Sequence, residues 1–580
     1  MTRAALALAL GLVALALAAC ATPAPRFALR DPFTRDTDLA PVTVPCRSDP
    51  SAKEPGRVTC APEVYVSPFV WDQVDNAVFA PLSRLLSVEA VGEAVNANSL
   101  DEVADSAWFE NRIGARPVTA EQLAAGGCTP DDLLPSEIGP GAWLIDRGKS
   151  DGASAGFRVS VPGKGIYMLK ADTAAQPEHA SSAAVIGSAI YHAVGFHTTC
   201  EQVVYIERSQ LTLSPGLTTT DNDGFVHLFD EHALRIVLAA SAHRGDRTRM
   251  TASKWLAGFT LGPFRYVGTR DDDPHDIIPH QHRRELRGSR LLAAWLDHWD
   301  SREQNSMDVW LASDPKRVRS SPGYVRHYLL DTSDVLGQAA NPDTLGQRLG
   351  HSYAFDPADF LVDFVTFGII ERPWDRAART PGRERFGFFS ARDFVPQDWK
   401  GAYPNPAFTR MTERDGAWMA RIIARFTRDQ IEAIARAAQL TDPTDATYLT
   451  DILLARRRAI LDRYLTRLSP LADVRREPDG RICAVDLARA AGLFAPDRFR
   501  YQIVEQTPHT QVALAAAPGP NGEVCFAPRA FAPDGLADDA AERLTIIRIT
   551  NGTPAGPLEI HTYDLGPRGL RVVGLRRPAP

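Results

Sequence analysis

The clearest alternation of apolar and polar positions lies in the second quarter of the chain. Phe157–Val161 (FRVSV) and Ile166–Ala171 (IYMLKA) are short β-rich runs on either side of Pro162-Gly-Lys-Gly165, a hairpin signal. After Pro177 the period changes. Ile186, Ile190 and Val194 share one helical face, and Gly195 stands where a C-terminal cap belongs. EQVVYIE, from Glu201, reads as a further strand, so this block runs strand, strand, helix, strand. From about residue 225 to 470 helices are expected to dominate. RRELRGSRLLAAWLDHW is one of them, and VRHYLLDTSDVLG (325–337) reads as a strand ending in a turn. Further on, Trp418, Ile422 and Phe426 form an i, i+4 stripe, and Thr427 with Gln430 forms a capping box ahead of Ile431 and Ile434. YLTDILLARRRAILDRYLTRL stops at Pro470, and its Arg456-Arg457-Arg458 run is expected on a solvated face. Beyond 470, GEVCFAPRAF, RLTIIRITNG and LEIHTYDLG are short strands between Gly, Pro and Asn turns. NSLDEVADSAWFENRIG, near the start, is polar and aromatic together and is expected to pack as a loop.

The N-terminus has a different texture. Arg3 precedes the unbroken apolar run AALALALGLVALALAAC, too short for a comfortable membrane span and flanked like a signal peptide. Its end, Leu17-Ala18-Ala19-Cys20, resembles the lipobox of bacterial lipoproteins. That resemblance implies cleavage before Cys20 and acylation of Cys20 as a membrane anchor; Ala21 implies the outer membrane. The stretch that follows, to about residue 45, is rich in Pro, Ala, Thr and Asp without apolar periodicity and reads as a tether. In an oxidising compartment the other six cysteines permit three disulfides. Cys46–Cys60 and Cys483–Cys525 are the local pairings, which leaves Cys128 with Cys200; free buried cysteines compete at each site.

At 580 residues the chain exceeds a single core. A formal net charge of −7, without a long basic block, gives no general attraction to nucleic acid.

The chemistry gathers around HWDSREQN (298–305). Phosphoryl transfer needs a cation on the phosphates, oxygen ligands for Mg²⁺, and a carboxylate to orient or deprotonate the acceptor. Asp300 suits the last role, and Asn305 offers a carbonyl oxygen to a metal. His298 is expected to hold the loop backbone. Asp331, delivered by an apolar strand, supplies a metal carboxylate, and Asp334 is the competing ligand. Lys170, at a strand end, supplies a compact charge for phosphate oxygens, with Glu178 at the next helix start as its expected partner. Gly148, Gly152 and Gly156 suit a loop over the phosphates. Each residue also has a bland role, as a surface lysine, a helix-dipole acid or a turn cap.

This order (Gly-rich turn, strand Lys, helix acid, loop Asp-x4-Asn, strand Asp) resembles the protein-kinase-like fold, and most closely its phosphatidylinositol-kinase-like and HipA-type branch. The resemblance implies an α+β, two-lobed chain. The resemblance covers roughly 148–345 by motif and extends to 470 by helical content, giving a β-rich N-lobe at 148–215 and a helical C-lobe at 216–470, while the patterns outside it give a signal peptide (1–19), the tether (20–45), an N-terminal extension (46–147) and a β-rich C-terminal domain (471–580). It also implies Mg²⁺ and a nucleoside triphosphate in the cleft, Lys170, Gly152 and Gly156 on the nucleotide, and an envelope protein or glycan as acceptor. Thr332-Ser333 replaces the Phe-Gly that follows the metal Asp in the family pattern, so the switch role of that Phe is absent. The alternative is a binding scaffold of the envelope without catalysis. A second cluster, Asp271, Asp272, Asp273, His275, His280 and His282, carries an HxH pair but no third well-spaced ligand, and reads as a polar loop.

Overall fold

The computed structural model describes residues 27–33, 36–42, 46–48, 58–60, 69–86, 92–135, 137–149, 155–173, 175–220, 225–314, 321–338, 343–529 and 535–579. It is a mixed α+β chain with several sheets.

The first sheet is built on strands β1 (Trp143–Gly148), β2 (Gly156–Val161) and β3 (Gly165–Ala171). The period-2 alternation of β3 turns Tyr167, Leu169 and Ala171 into the core. Ile166, Met168 and Lys170 therefore lie on the other face. Helix α1 (His179–Val194) follows and is buried almost throughout. It ends at Gly195, whose φ of 144° and contact with the Phe109 ring leave no room for a side chain. Strand β4 (Glu201–Ile206) and strand β5 (Arg247–Lys254) complete the sheet, in the order Leu211–Leu213, β1, β2, β3, β5, β4.

Strand β5 is the main departure from the sequence reading, in which helices dominate here and the β-rich N-lobe closes at 215. RTRMTASK turns Met250 and Ala252 into the apolar core, too few to read as a stripe, and its other face is buried by polar partners. Arg249 is fully buried, with Nε donating to Ser181 at 2.8 Å, Nη1 to Tyr205 at 2.9 Å and Nη2 to the Ala438 carbonyl at 2.5 Å. Burial without apolar periodicity is invisible to pattern reading.

The helical half contains α2 (Arg284–Leu296), then strands β6 (Ser306–Ala312) and β7 (Gly323–Leu329), which pair antiparallel. Helices α3 (Pro357–Thr366), α4 (Glu413–Ile423), α5 (Arg428–Ala437) and α6 (Pro443–Tyr464) follow, and α5 opens on the expected Thr427/Gln430 capping box. Helices α1, α2, α4, α5 and α6 share one core. Of the arginine run of α6, only Arg458 lies on a solvated face. Arg456 is buried and donates to the carbonyls of Ala294, Trp295 and Ser390, and Arg457 to those of Ile423 and Ala424. The two side chains satisfy orphan carbonyls at the ends of α2 and α4, which repays their burial.

Beyond 470 a four-stranded and a five-stranded sheet enclose a common core of Ile482, Ile503, Val524, Ile547 and Ile560. Disulfides join Cys483 to Cys525 and Cys128 to Cys200, as expected. Backbone register sets Cys46 opposite Cys60. Cys20 lies outside the described residues.

Two further segments depart from expectation. Residues 27–33 and 36–42 are docked rather than free. Tyr563 donates to the Phe27 carbonyl at 3.0 Å, Asp36 pairs with Arg283 at 2.5 Å, and Val42 bridges to Gly323. The His cluster is structural where it is buried: His280 Nε2 meets Asp276 at 2.7 Å, and Asp276 also pairs with Arg283. Among the described residues no helix is long and apolar enough to cross a membrane.

Candidate functional site

The residues singled out from sequence converge where β3 faces the end of β7. Lys170 Nζ lies 3.1 Å from Asp331 Oδ1. Asp331 adopts a left-handed φ of 45° just past β7, which turns its carboxylate out of the strand line. Ser333 Oγ donates to it at 2.5 Å. Asn305 sits beside that turn, because the Leu330 N–H donates to the Asn305 carbonyl at 2.8 Å. The Asn305 amide donates to Asp300 Oδ2 at 2.9 Å and to the Asp300 carbonyl at 2.6 Å. That orientation leaves Asn305 Oδ1 as the group to offer a cation.

Asp334 is not turned to the cleft with Asp331. Its Oδ2 accepts the Asp300 N–H at 2.8 Å, and its Oδ1 lies 3.3 Å from His298 Nε2. His298 is buried, and its Nδ1 meets the Tyr191 hydroxyl at 2.8 Å. Burial pushes the imidazole down to about 4, so it is neutral at physiological pH and braces the loop. Helix α2 ends at Asp297 in a left-handed cap, and the loop beyond it carries the Asp300 carboxylate and the Asn305 amide.

Electrostatics mark the cluster as unusual. Burial opposes the Lys170 ammonium, yet Asp331 and Glu201 together raise its pKa above the ordinary value. Burial also opposes Asp331, but Lys170, the Ser333 hydroxyl and the Lys149 ammonium hold its carboxyl well below the usual range. Asp300 and Asp334 go the other way. Burial raises both, and their mutual repulsion raises Asp334 further, while Arg302 pulls Asp300 back. Neighbouring carboxylates with opposed shifts are a pattern frequent at functional sites.

Glu178 is placed elsewhere. It precedes α1 with φ 68°, meets Arg385 Nη1 at 2.5 Å and accepts from Thr441. Because the helix begins at His179, the Glu178 carboxylate points toward 385 and 441, away from β3. Glu201 takes the place expected for it beside Lys170 and accepts from Ser253 at 2.5 Å and Thr199 at 2.6 Å. Sequence reading missed Glu201 because it opens an apolar strand and looks like an ordinary edge polar residue. Lys149 and Arg302 were also missed; Arg302 Nε lies 2.5 Å from Asp300 Oδ1. Gly156 pairs opposite Lys170 in the ladder, and a side chain there would collide with the Leu169 carbonyl. Gly152 lies outside the described residues.

Lys170, Glu201 and Asp331 close one end of a cavity of about 170 Å³, whose remaining walls include Met168, Trp255, Leu256, Met307 and Leu330. That space suits a flat ring system rather than a whole nucleotide. A larger cavity, about 640 Å³, opens beside Asp297, Gly337, Trp374 and Arg456, and reaches none of Lys170, Asp300, Asn305 and Asp331.

Helix α1 sets the height of the site. Gly187 faces Thr332, and a Cβ there would lie 2.6 Å from Thr332 Cβ. Gly187→Ala is expected to displace Thr332 and with it Asp331, at a cost of about 1–3 kcal/mol in chemical denaturation. Unchanged stability would mean the turn after β7 is slack.

No protein-family model matches this chain. Comparison with curated proteins and with solved structures gave no significant match either.

Proposed function

We propose that this chain is a lipid-anchored protein of the cell envelope with a two-lobed, protein-kinase-like unit that holds a Mg-nucleotide. The observation that carries the reading is the 3.1 Å Lys170–Asp331 pair with Asn305 and Asp300 gathered around it, from three segments distant in sequence. The strand order, the helix following the Lys strand and the β6–β7 hairpin ahead of Asp331 add support.

The donor set fits the ion: the Asn305 carbonyl and the Asp331 carboxylate are hard oxygen ligands of the kind Mg²⁺ takes. Bound there, Mg²⁺ would neutralise charge on the donor phosphates. Lys170 and Lys149 place positive charge near Asp331 for phosphate oxygens. Asp300 orients an acceptor hydroxyl and takes its proton as the new P–O bond forms and the bond to the leaving diphosphate breaks. Its raised carboxyl pKa suits a proton acceptor. The acceptor class is an envelope protein or glycan.

One observation favours a second reading, binding without transfer. Arg302 already engages Asp300, and catalysis requires that pair to open. Either reading requires nucleotide linkage. Mg-ATP is expected to raise the melting temperature of residues 21–580 by a few degrees, with no rise for ATP in EDTA. No shift with any Mg-nucleotide would overturn both. A shift without transfer to any envelope fraction would select the second.

A further inference from the structure

Helix α3 and the turn after it expose a continuous apolar surface. Phe360, Leu361, Phe364 and Val365 are 60–71% exposed, Phe367 90% and Ile369 80%. The acids of α3 are spent internally, since Arg372 lies 3.5 Å from Asp359 and 2.8 Å from Asp363. The surface presents hydrocarbon, and the charged residues that flank it pair among themselves, Arg372 with Asp359 and Asp363 and Arg376 with Glu371. A second apolar ridge lies on the helical segment Phe69–Leu86, where Trp71, Phe79, Leu82 and Leu86 are exposed. Arg84 ties this segment to Thr409 at 3.3 Å, and Thr409 shares a small cavity with Tyr353, four residues before α3.

The occupant follows from where the described chain begins. Phe27 is fixed on the C-terminal sheet, its ring 4.9 Å from His561. Only residues 21–26 separate it from Cys20, a reach of roughly 25 Å at full extension. A body of this length has a radius of gyration of about 25 Å. An acyl chain on Cys20 would thus hold the folded body against headgroups, not out in solution. We propose that α3 and its Phe367–Ile370 extension, flanked by the Phe69–Leu86 ridge, form a second membrane contact that inserts into a phospholipid surface. The acyl chains on Cys20 would supply the anchor, and α3 an apolar face that lies against the same surface. This inference rests on the lipoprotein reading of Cys20 for its orientation, but not for its chemistry.

The test uses residues 21–580, which carry no lipid and contain every described residue, floated with vesicles of phosphatidylethanolamine and phosphatidylglycerol, and with phosphatidylcholine vesicles. The chain is expected to float with both. Phe360→Ser/Phe364→Ser/Phe367→Ser is expected to lower the bound fraction at least roughly tenfold, with an unchanged melting temperature because all three positions are exposed. Failure of the wild-type chain to float, or equal flotation of the variant, would overturn the proposal. So would a concentration-dependent dimer in light scattering that the variant abolishes, since the occupant would then be a second copy. Mass spectrometry of the full chain from cells separately reads the lipid on Cys20. An unmodified Cys20 with intact flotation would remove the lipoprotein reading and leave the membrane contact standing.

Discussion

Asp101→Ala is expected to destabilise the protein by about 3–5 kcal/mol, the cost of stranding buried charge by removing its partner. Asp101 is where three guanidiniums from distant parts of the chain meet. Arg284, at the start of α2, donates to Oδ1 at 2.7 Å; Arg421 of α4 and Arg577 near the C-terminus reach Oδ2 at 3.2 and 2.6 Å. Burial alone would push the Asp101 carboxyl up, but Arg284, Arg577 and Arg421 together outweigh it and hold the group well below the ordinary carboxylate range. The sign of the pH dependence follows. With the folded pKa depressed, the contribution is complete above the unfolded value near ~3.9 and is lost as the pH falls from there toward the folded value. Urea denaturation from pH 7 to 2 should show a difference between wild type and variant that holds down to about pH 4 and narrows steadily below it. A constant difference across that range would mean that packing, not charge, dominates. Because the three arginines belong to the helical half and the C-terminal sheets, the variant is also expected to broaden the thermal transition as those parts uncouple.

Asp101 also shows what sequence can and cannot reveal. It lies in NSLDEVADSAWFENRIG, where Trp108 and Phe109 are legible as packing residues and are indeed buried. The three arginines it gathers lie 183, 320 and 476 residues away, and no local pattern announces such a hub. The same division runs through the site. Lys170, Asp300, Asn305 and Asp331 were legible because each sits at a recognisable transition: strand end, helix end or turn. Glu178 was misplaced because spacing along the chain says which residue starts a helix, not which way a left-handed residue before it points. Strand β5 was missed because hydrogen bonds rather than apolar side chains bury one of its faces, and Glu201 because its hydrogen bonds to Ser253 and Thr199 come from residues that the strand pattern does not announce.

The Lys170–Asp331 pair separates a structural role from a binding role. Asp331→Ala leaves a largely buried ammonium with only Glu201 nearby, and is expected to cost about 2 kcal/mol; the partial exposure of Asp331 keeps the figure below that for a fully buried pair. It also removes the carboxylate proposed for Mg²⁺, so the Mg-ATP rise in melting temperature should vanish. Loss of stability alone would explain a lower melting temperature but not a lost increment. The decisive variant is Lys170→Met/Asp331→Leu. Replacing an ion pair by apolar groups of similar volume is often neutral, so the double variant should regain most of the stability lost in Asp331→Ala. It should still show no response to Mg-ATP. If the double variant keeps the nucleotide response, the ligand sits elsewhere and the pair is scaffold. If both variants match wild type in stability and only the response disappears, Lys170 and Asp331 are held together by the elements around them, and their proximity serves the ligand alone.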